Sequence, residues 1–389
     1  MELLNLIETI RAEEASVQRL FGGEGSGARQ GRKSPEYLAK LAETARFVAD
    51  CIQGRRPAHQ LREAMTTSDF PYLFGDILDR QLLAAYAETP QSYRNYAKIG
   101  TVSDFRQVKR FSVYGADQVL EAVAEQHEYP AAAINENTPY TYTVSKHGRI
   151  IPFSWETLIN DDLGAFTDVP TRLGRAARRS EEKFATQLFV DANGPHASFY
   201  TGGNANIVTL NPALTILGLQ TAMKVLGNMV DEDGEPIVID VVELVVPPAL
   251  EVTARNIMNA TQLWLNPNNN AGTADQSLVT ENWMRNRVNL SVNAYIPLVA
   301  TSGTRGQDSW FLFANPSNGR PALEVGFLRG HESPEVFMKA PNVTRVGGGA
   351  VNATDGDFDT DSVIYKIRHV FGGTRMNPKM TVASNGSGS

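Results

Sequence analysis

Four aspartates alternate near the C-terminus, Asp355, Asp357, Asp359 and Asp361, and they are the best candidate for a metal site in the chain. A calcium loop begins with such alternation, but it also needs a glycine at its sixth position and a bidentate glutamate at its twelfth. Counted from Asp357, those places hold Ser362 and Arg368. The run therefore reads as a solvated acidic loop, with a metal-dependent soluble hydrolase as the alternative it would support. Asp161 and Asp162 are neighbours in sequence, which suits a helix cap better than an acid and base pair. The histidines at 59, 127, 147, 196, 331 and 369 include no pair spaced i, i+4. The glycines at 22, 23, 25 and 27 follow no strand and read as a linker. No phosphate-binding loop, nucleophile elbow, zinc-helix motif or paired Cys-x-x-Cys is present. These residues predict no enzyme and no cofactor.

Arg172, Arg175 and Arg179 share one face of a strongly charged helix, with Arg178 beside them. They could face phosphate, or they could serve packing and pairing between subunits. Glu181 and Glu182 lie at i, i+3 and i, i+4 from Arg178 and Arg179, and Leu173, Ala177, Phe184 and Leu188 form the opposite packing stripe. Asp168 is the expected N-cap and Pro170 the first-turn proline, while Asn193-Gly194-Pro195 stops the helix. The helix then spans about 24 residues, or about 36 Å.

The segment before this helix is extended. Tyr140, Tyr142 and Val144 alternate with threonines, and Gly148 allows a bend before Arg149 to Phe153. Together with the polar stretch 116–138 it goes out and returns without collecting a core, so its expected partner is another subunit. Upstream, residues 1–65 are mostly amphipathic helix, including a helix from Ser34 that carries Cys51 on its apolar face and ends at Gly54. Thr66 to Gly100 continues as helix with Leu82 and Tyr86. Downstream come a helix from Ala213 to Met229 and an acidic turn at Asp231 to Gly234. A β-branched run, Ile237 to Val246, follows, and a helix to about Ala260. Val288 to Ala300, Trp310 to Ala314 and Leu323 to Leu328 read as strands, giving an α/β unit of about 130 residues. Ser362 to Phe371 is a long strand, and Met380 to Val382 closes the fold.

The 389 residues carry 42% hydrophobic and 20% charged residues, which fits a folded chain of two or three domains. No apolar run reaches the length of a membrane span, and the N-terminus lacks a basic signal-peptide start, so synthesis in the cytoplasm is expected. The single cysteine excludes an internal disulfide framework. A net charge of -7 argues against a protein whose main task is gripping nucleic acid, though not against one that encloses it.

The residues Tyr-Thr-Tyr-Thr-Val-Ser-Lys-His-Gly-Arg-Ile-Ile-Pro-Phe-Ser-Trp-Glu-Thr-Leu-Ile-Asn-Asp-Asp-Leu-Gly-Ala-Phe, 140–166, resemble the junction between extended loop and spine helix in tailed-phage major capsid proteins. The resemblance is strongest to the Mu-like head subunits, which are similar in turn to the Hong Kong 97 capsid fold. It implies an α+β chain divided into a helical, scaffold-like or retained N-terminal region (1–65), an N-terminal arm (66–110) and an extended loop (111–153). A peripheral domain with the spine helix (154–208 and 345–389) and an axial domain (209–344) complete it. It further implies a shell of hexamers and pentamers around double-stranded DNA held by weak non-specific contact. Portal, scaffold or maturation protease and decoration proteins are the implied partners, with no membrane. The virion is the implied location, after assembly in the host cytoplasm. The residues it places at subunit contacts are Tyr140, Tyr142, Val144, Lys146, Arg149, Trp155, Arg172, Arg175 and Arg179. An encapsulin-type protein shell is the alternative within the same fold.

Overall fold

The computed structural model describes residues 82–88, 90–111, short pieces between 113 and 136, 140–154, 163–260, 262–265, 278–318, 320–339, 342–344, 346 and 357–388. In chain order the strands of the two principal sheets are β1 (Lys98–Val102), β2 (Val144–Ser154), β3 (Val242–Val246), β4 (Val288–Val292), β5 (Trp310–Ala314), β6 (Leu323–Leu328), β7 (Glu335–Met338), β8 (Ser362–Arg375) and β9 (Thr381–Ser384). The longer helices are α1 (Leu163–Phe189), α2 (Ile216–Gly227) and α3 (Glu251–Asn259), and residues 82–88 are also helical. None of the described helices is long and apolar enough to cross a membrane.

The first sheet is built around β8. One of its edges pairs with β6 and then β7, and β1 lies parallel on the far side of β6. Its other edge pairs antiparallel with the whole of β2, from Ser362 opposite Ser154 to Gly372 opposite Val144. The alternation Val363, Tyr365, Ile367, His369, Phe371 buries one face of β8. Against that face lies α1, whose Leu173 and Ala177 share a core with Ile367, Leu82 and Tyr86.

The second sheet has the order β4-β3-β5-β9. Its strands β3 and β5 are buried along their whole length, as a β-branched or aromatic run covered on both faces should be. On one face α2 and α3 contribute Leu219, Ala222, Leu226, Ala254 and Ile257 to a core with Leu244, Val246, Trp310 and Leu312. Thr215 caps α2 by accepting from the Gly218 amide at 3.0 Å. On the other face Phe311 and Phe313 meet Phe189 at the end of α1, edge to face at 4.9 and 5.2 Å, and Tyr96 stacks on Phe313 at 4.9 Å. One core thus spans α1 and both sheets.

Four expectations change. α1 is 27 residues long and starts at Leu163, ahead of Asp168. Pro170 is therefore interior and forgoes the bond to the Phe166 carbonyl, while Leu163 to Phe166 extends the helix upstream. The strands expected in one α/β unit are divided: β6 joins the sheet of β8, whereas C-terminal β9 enters the sheet of β3. Of the stretch 288–300, only Val288–Val292 is strand, and Ile296–Val299 makes a helical turn. Finally, the returning half of the extended loop has a partner in its own chain, since β2 pairs with β8 over 11 residues. That pairing joins segments more than 200 positions apart, and no local pattern reveals it. The expectations for residues 1–81, including Cys51 and the glycine-rich linker, lie outside the described residues.

Candidate functional site

The densest chemistry is a carboxylate buried in the middle of α1. Glu181 is inaccessible to solvent. It accepts hydrogen bonds from the Tyr86 hydroxyl at 2.5 Å, the Tyr93 hydroxyl at 2.8 Å, Arg178 Nη1 at 3.1 Å and His369 Nε2 at 2.7 Å. The Arg178 guanidinium also lies 3.4 Å from the Tyr86 ring centroid, and its Nε donates to the Tyr86 carbonyl at 2.6 Å. One side chain thereby ties together the segment 82–96, α1 and β8. Burial pushes the Glu181 carboxyl upward, but the bonds from His369, Arg178 and Tyr86 outweigh it and hold it below the usual carboxylate range. Burial first, and then the adjoining Glu181 charge, push both tyrosines well above theirs. Glu182 faces the same segment, accepting from the Ser92 hydroxyl and, at 3.2 Å, from the Ser92 amide. Its burial dominates and raises its carboxyl.

A second buried carboxylate fixes the extended loop. Val108–Arg110 pairs with Tyr140–Tyr142, and from these strands the Arg110 Nε and Nη2 and the Tyr142 hydroxyl converge on Glu324 Oε1 at 2.9, 2.9 and 2.7 Å. Tyr142 lies flat over Gly326, where a Cβ would meet its hydroxyl at 2.5 Å, so the close approach demands glycine. Val102, Tyr142, Val144, Leu328 and Val370 make a small core beside it. The loop that was expected to lack a core has this one.

Of the residues expected at subunit contacts, Tyr142 and Val144 are taken up by that internal core. Tyr140 is half-buried, while Lys146, Arg149, Arg172, Arg175 and Arg179 are exposed. Lys146 stands 5.8 Å from the Phe105 ring, and Arg175 lies 3.8 Å from Glu88. Trp155 and Asp355 lie outside the described residues. The other three aspartates do not converge: Asp357 pairs with Lys339 at 2.8 Å, and Asp359 and Asp361 are exposed. No group of three or more ligands suited to a metal occurs among the described residues. The described part of the run, from Asp357, makes a turn pinned by the Asp357–Lys339 pair.

Sequence reasoning missed Glu181 and Glu324 as anchors, although both left a signal. Glu181 sits on the apolar stripe itself, four residues after Ala177 and three before Phe184. Glu324 is a lone charge in the run Ala322 to Leu328. A charge on an apolar stripe is buried with partners or the stripe is broken.

A family model described as phage capsid protein matches residues 138–384. No curated protein matches the chain. Among solved structures, a virus-like particle from Pyrococcus furiosus is similar at 10% identity and a TM-score of 0.42, covering 80% of this chain and 99% of that one. The asymmetric unit of the bacteriophage PhiM1 mature capsid is similar at 11% and 0.46, covering 76% and 87%. A protein of Gordonia phage Cozz is similar at 16% and 0.42, covering 76% and 86%.

Proposed function

The chain belongs to the phage capsid protein family, and from that premise we propose that it is a major head subunit of the Hong Kong 97 type, assembling into an icosahedral shell around double-stranded DNA. The family match over 138–384 carries the reading, because it takes in the end of the extended loop, α1, and every strand of both sheets except β1. The geometry suits the task. A shell subunit must keep its shape while its neighbours pull on it, and Glu181 and Glu324 bind the helix and the loop to the first sheet. The proposed division keeps the order of arm, loop, peripheral and axial parts, with β6 and β7 contributed to the peripheral sheet and β9 to the axial one.

Neighbouring copies meet, in this reading, through the exposed flank of the loop and of α1: Tyr140, Lys146, Arg149, Arg172, Arg175 and Arg179. DNA is held by weak contact only, in keeping with the net charge of -7. Portal, scaffold or protease, and decoration proteins complete the head, in the host cytoplasm. Electron microscopy of the purified protein tests the proposal: closed particles tens of nanometres across are expected. A monodisperse monomer at high concentration overturns it, and empty particles that co-purify with a protein cargo point instead to a storage compartment.

A further inference from the structure

One face of the first sheet turns away from α1, and three strands meet there in rows. Phe337, Lys366 and Ile150 lie side by side across β7, β8 and β2; Glu335, Arg368 and Gly148 form the next row; Val370 and Lys146 the third. Lys366 and Arg368 both lie over the Phe337 ring, 5.0 and 4.5 Å from its centroid. Ile150 is 61% exposed, and Gly148 leaves a gap in the side chains between Ile150 and Lys146. The face thus carries Lys366 and Arg368 on its middle strand and Lys146 on β2, and these flank an apolar notch over Gly148 and Ile150, with Arg368 partly answered by Glu335 at 2.6 Å.

At the start of β8 the same chain carries a feature of the opposite character. Phe358 is 76% exposed, and Asp359 and Asp361 beside it are exposed, with no ion pair among the described residues. This turn is held in shape. Asp357 is clamped by Lys339, the Phe358 amide donates to Asn342 Oδ1 at 3.1 Å, and the Asp361 amide donates to the Asp357 carbonyl at 2.9 Å. An aromatic ring carried between carboxylates complements an apolar gap between cations.

We propose that the turn 357–361 of one subunit docks on the β2-β8-β7 face of a second copy, with Phe358 over Gly148 and Ile150 and its aspartates against Lys146 and Lys366. The turn cannot reach its own face, because β8 runs straight between them and four residues of strand span about 13 Å. The contact joins two different surfaces of one molecule, so it is heterologous, and repetition closes it into rings or extends it. The inference rests on the shell reading and adds to it which surfaces meet.

The test uses the full chain and charge reversal at both ends: Asp359→Lys with Asp361→Lys, and Lys146→Glu with Lys366→Glu. Circular dichroism and thermal melting establish that each variant is folded, and Phe358→Ala, at an exposed position, supplies a second probe. Sedimentation velocity should show that each reversal, and Phe358→Ala, raises the concentration needed for assembly at least tenfold, and that combining the two reversals restores it. Unchanged assembly in the folded single reversals, or no rescue in the combination, overturns the proposal. Loss of co-purifying nucleic acid with assembly intact in Lys146→Glu, Lys366→Glu also overturns it and assigns the face to phosphate. If the unmodified protein forms no particles, the shell reading itself fails; if it assembles and the reversals change nothing, only this contact does.

Discussion

Replacing Glu181 by Gln leaves the Arg178 guanidinium buried without a countercharge, and half of the acceptor for two tyrosines and His369 becomes a donor. Breaking a buried pair from one side costs about 3–5 kcal/mol, so a large drop in the urea midpoint is expected. Replacement of Tyr142 by Phe is milder. It removes one neutral donor from a carboxylate still held by Arg110, for a loss of about 1–3 kcal/mol in the same measurement. The pH dependence of stability follows from the same residue. Glu181 is held below its ordinary range, so its contribution is complete above the unfolded carboxylate value of about 4.3 and is lost as pH falls through the lower folded value. Glu182 is raised, so its contribution has the opposite sense, present at low pH and lost as pH rises through its raised value. A melting series between about pH 7 and about pH 3 should show an acid limb that flattens in Glu181→Gln. A limb unchanged in that variant would assign acid sensitivity to other carboxylates such as Glu335, which burial raises but Arg368 and His331 bring below the usual range.

Among the elements, β8 is hydrogen-bonded along both edges and covered on one face by α1, whereas Val108–Arg110 and Tyr140–Tyr142, among the described residues, pair only with each other over a small core. Hydrogen exchange should therefore find the amides of 364–372 among the slowest in the chain and those of 108–110 and 140–142 markedly faster. Equal protection in both would mean that the Glu324 anchor holds the loop as firmly as the sheet. This contrast also marks what a sequence can disclose. α1, α2, α3, β3, β5, β6 and β8 were legible, because a helical stripe or a buried β-branched run is a local pattern. Partnership was not. The pairing of β2 with β8, and the exchange of β6 and β9 between sheets, are contacts across large separations whose residues fit either sheet equally well. The start of α1 was misread because a cap and a proline in sequence, Asp168 and Pro170, outweighed the continuing helix at Leu163. At the candidate site, the exposed arginines of α1 were legible as a face, while the buried Glu181 was read as a surface pairing partner. Spacing predicts who can meet along a helix, but not which side of it is buried.

For the whole molecule, the division between parts that fold the subunit and parts that join subunits can now be drawn inside the extended loop. Residues 144–154 belong to the folded body through β8, and 108–110 with 140–142 through Glu324. The stretch between Val113–Tyr114 and Asn135–Glu136, which pair with each other, is where a cut can be made without touching either anchor. Replacing 115–134 by an Asn-Gly turn preserves the crossing of those two short strands in the form a two-residue hairpin connection prefers. If the intervening residues serve neighbours, the variant should melt within a few degrees of the parent. It should also remain monomeric, or stop at small rings, at concentrations where the parent forms particles. Thermal melting and sedimentation velocity on the same samples separate the cases. Stable subunits that fail to assemble place the clamp between subunits in 115–134. Stable subunits that assemble normally leave the exposed flank of α1 and the β2-β8-β7 face to hold the shell. A collapse in melting temperature would mean that the loop, like β2, works for its own chain.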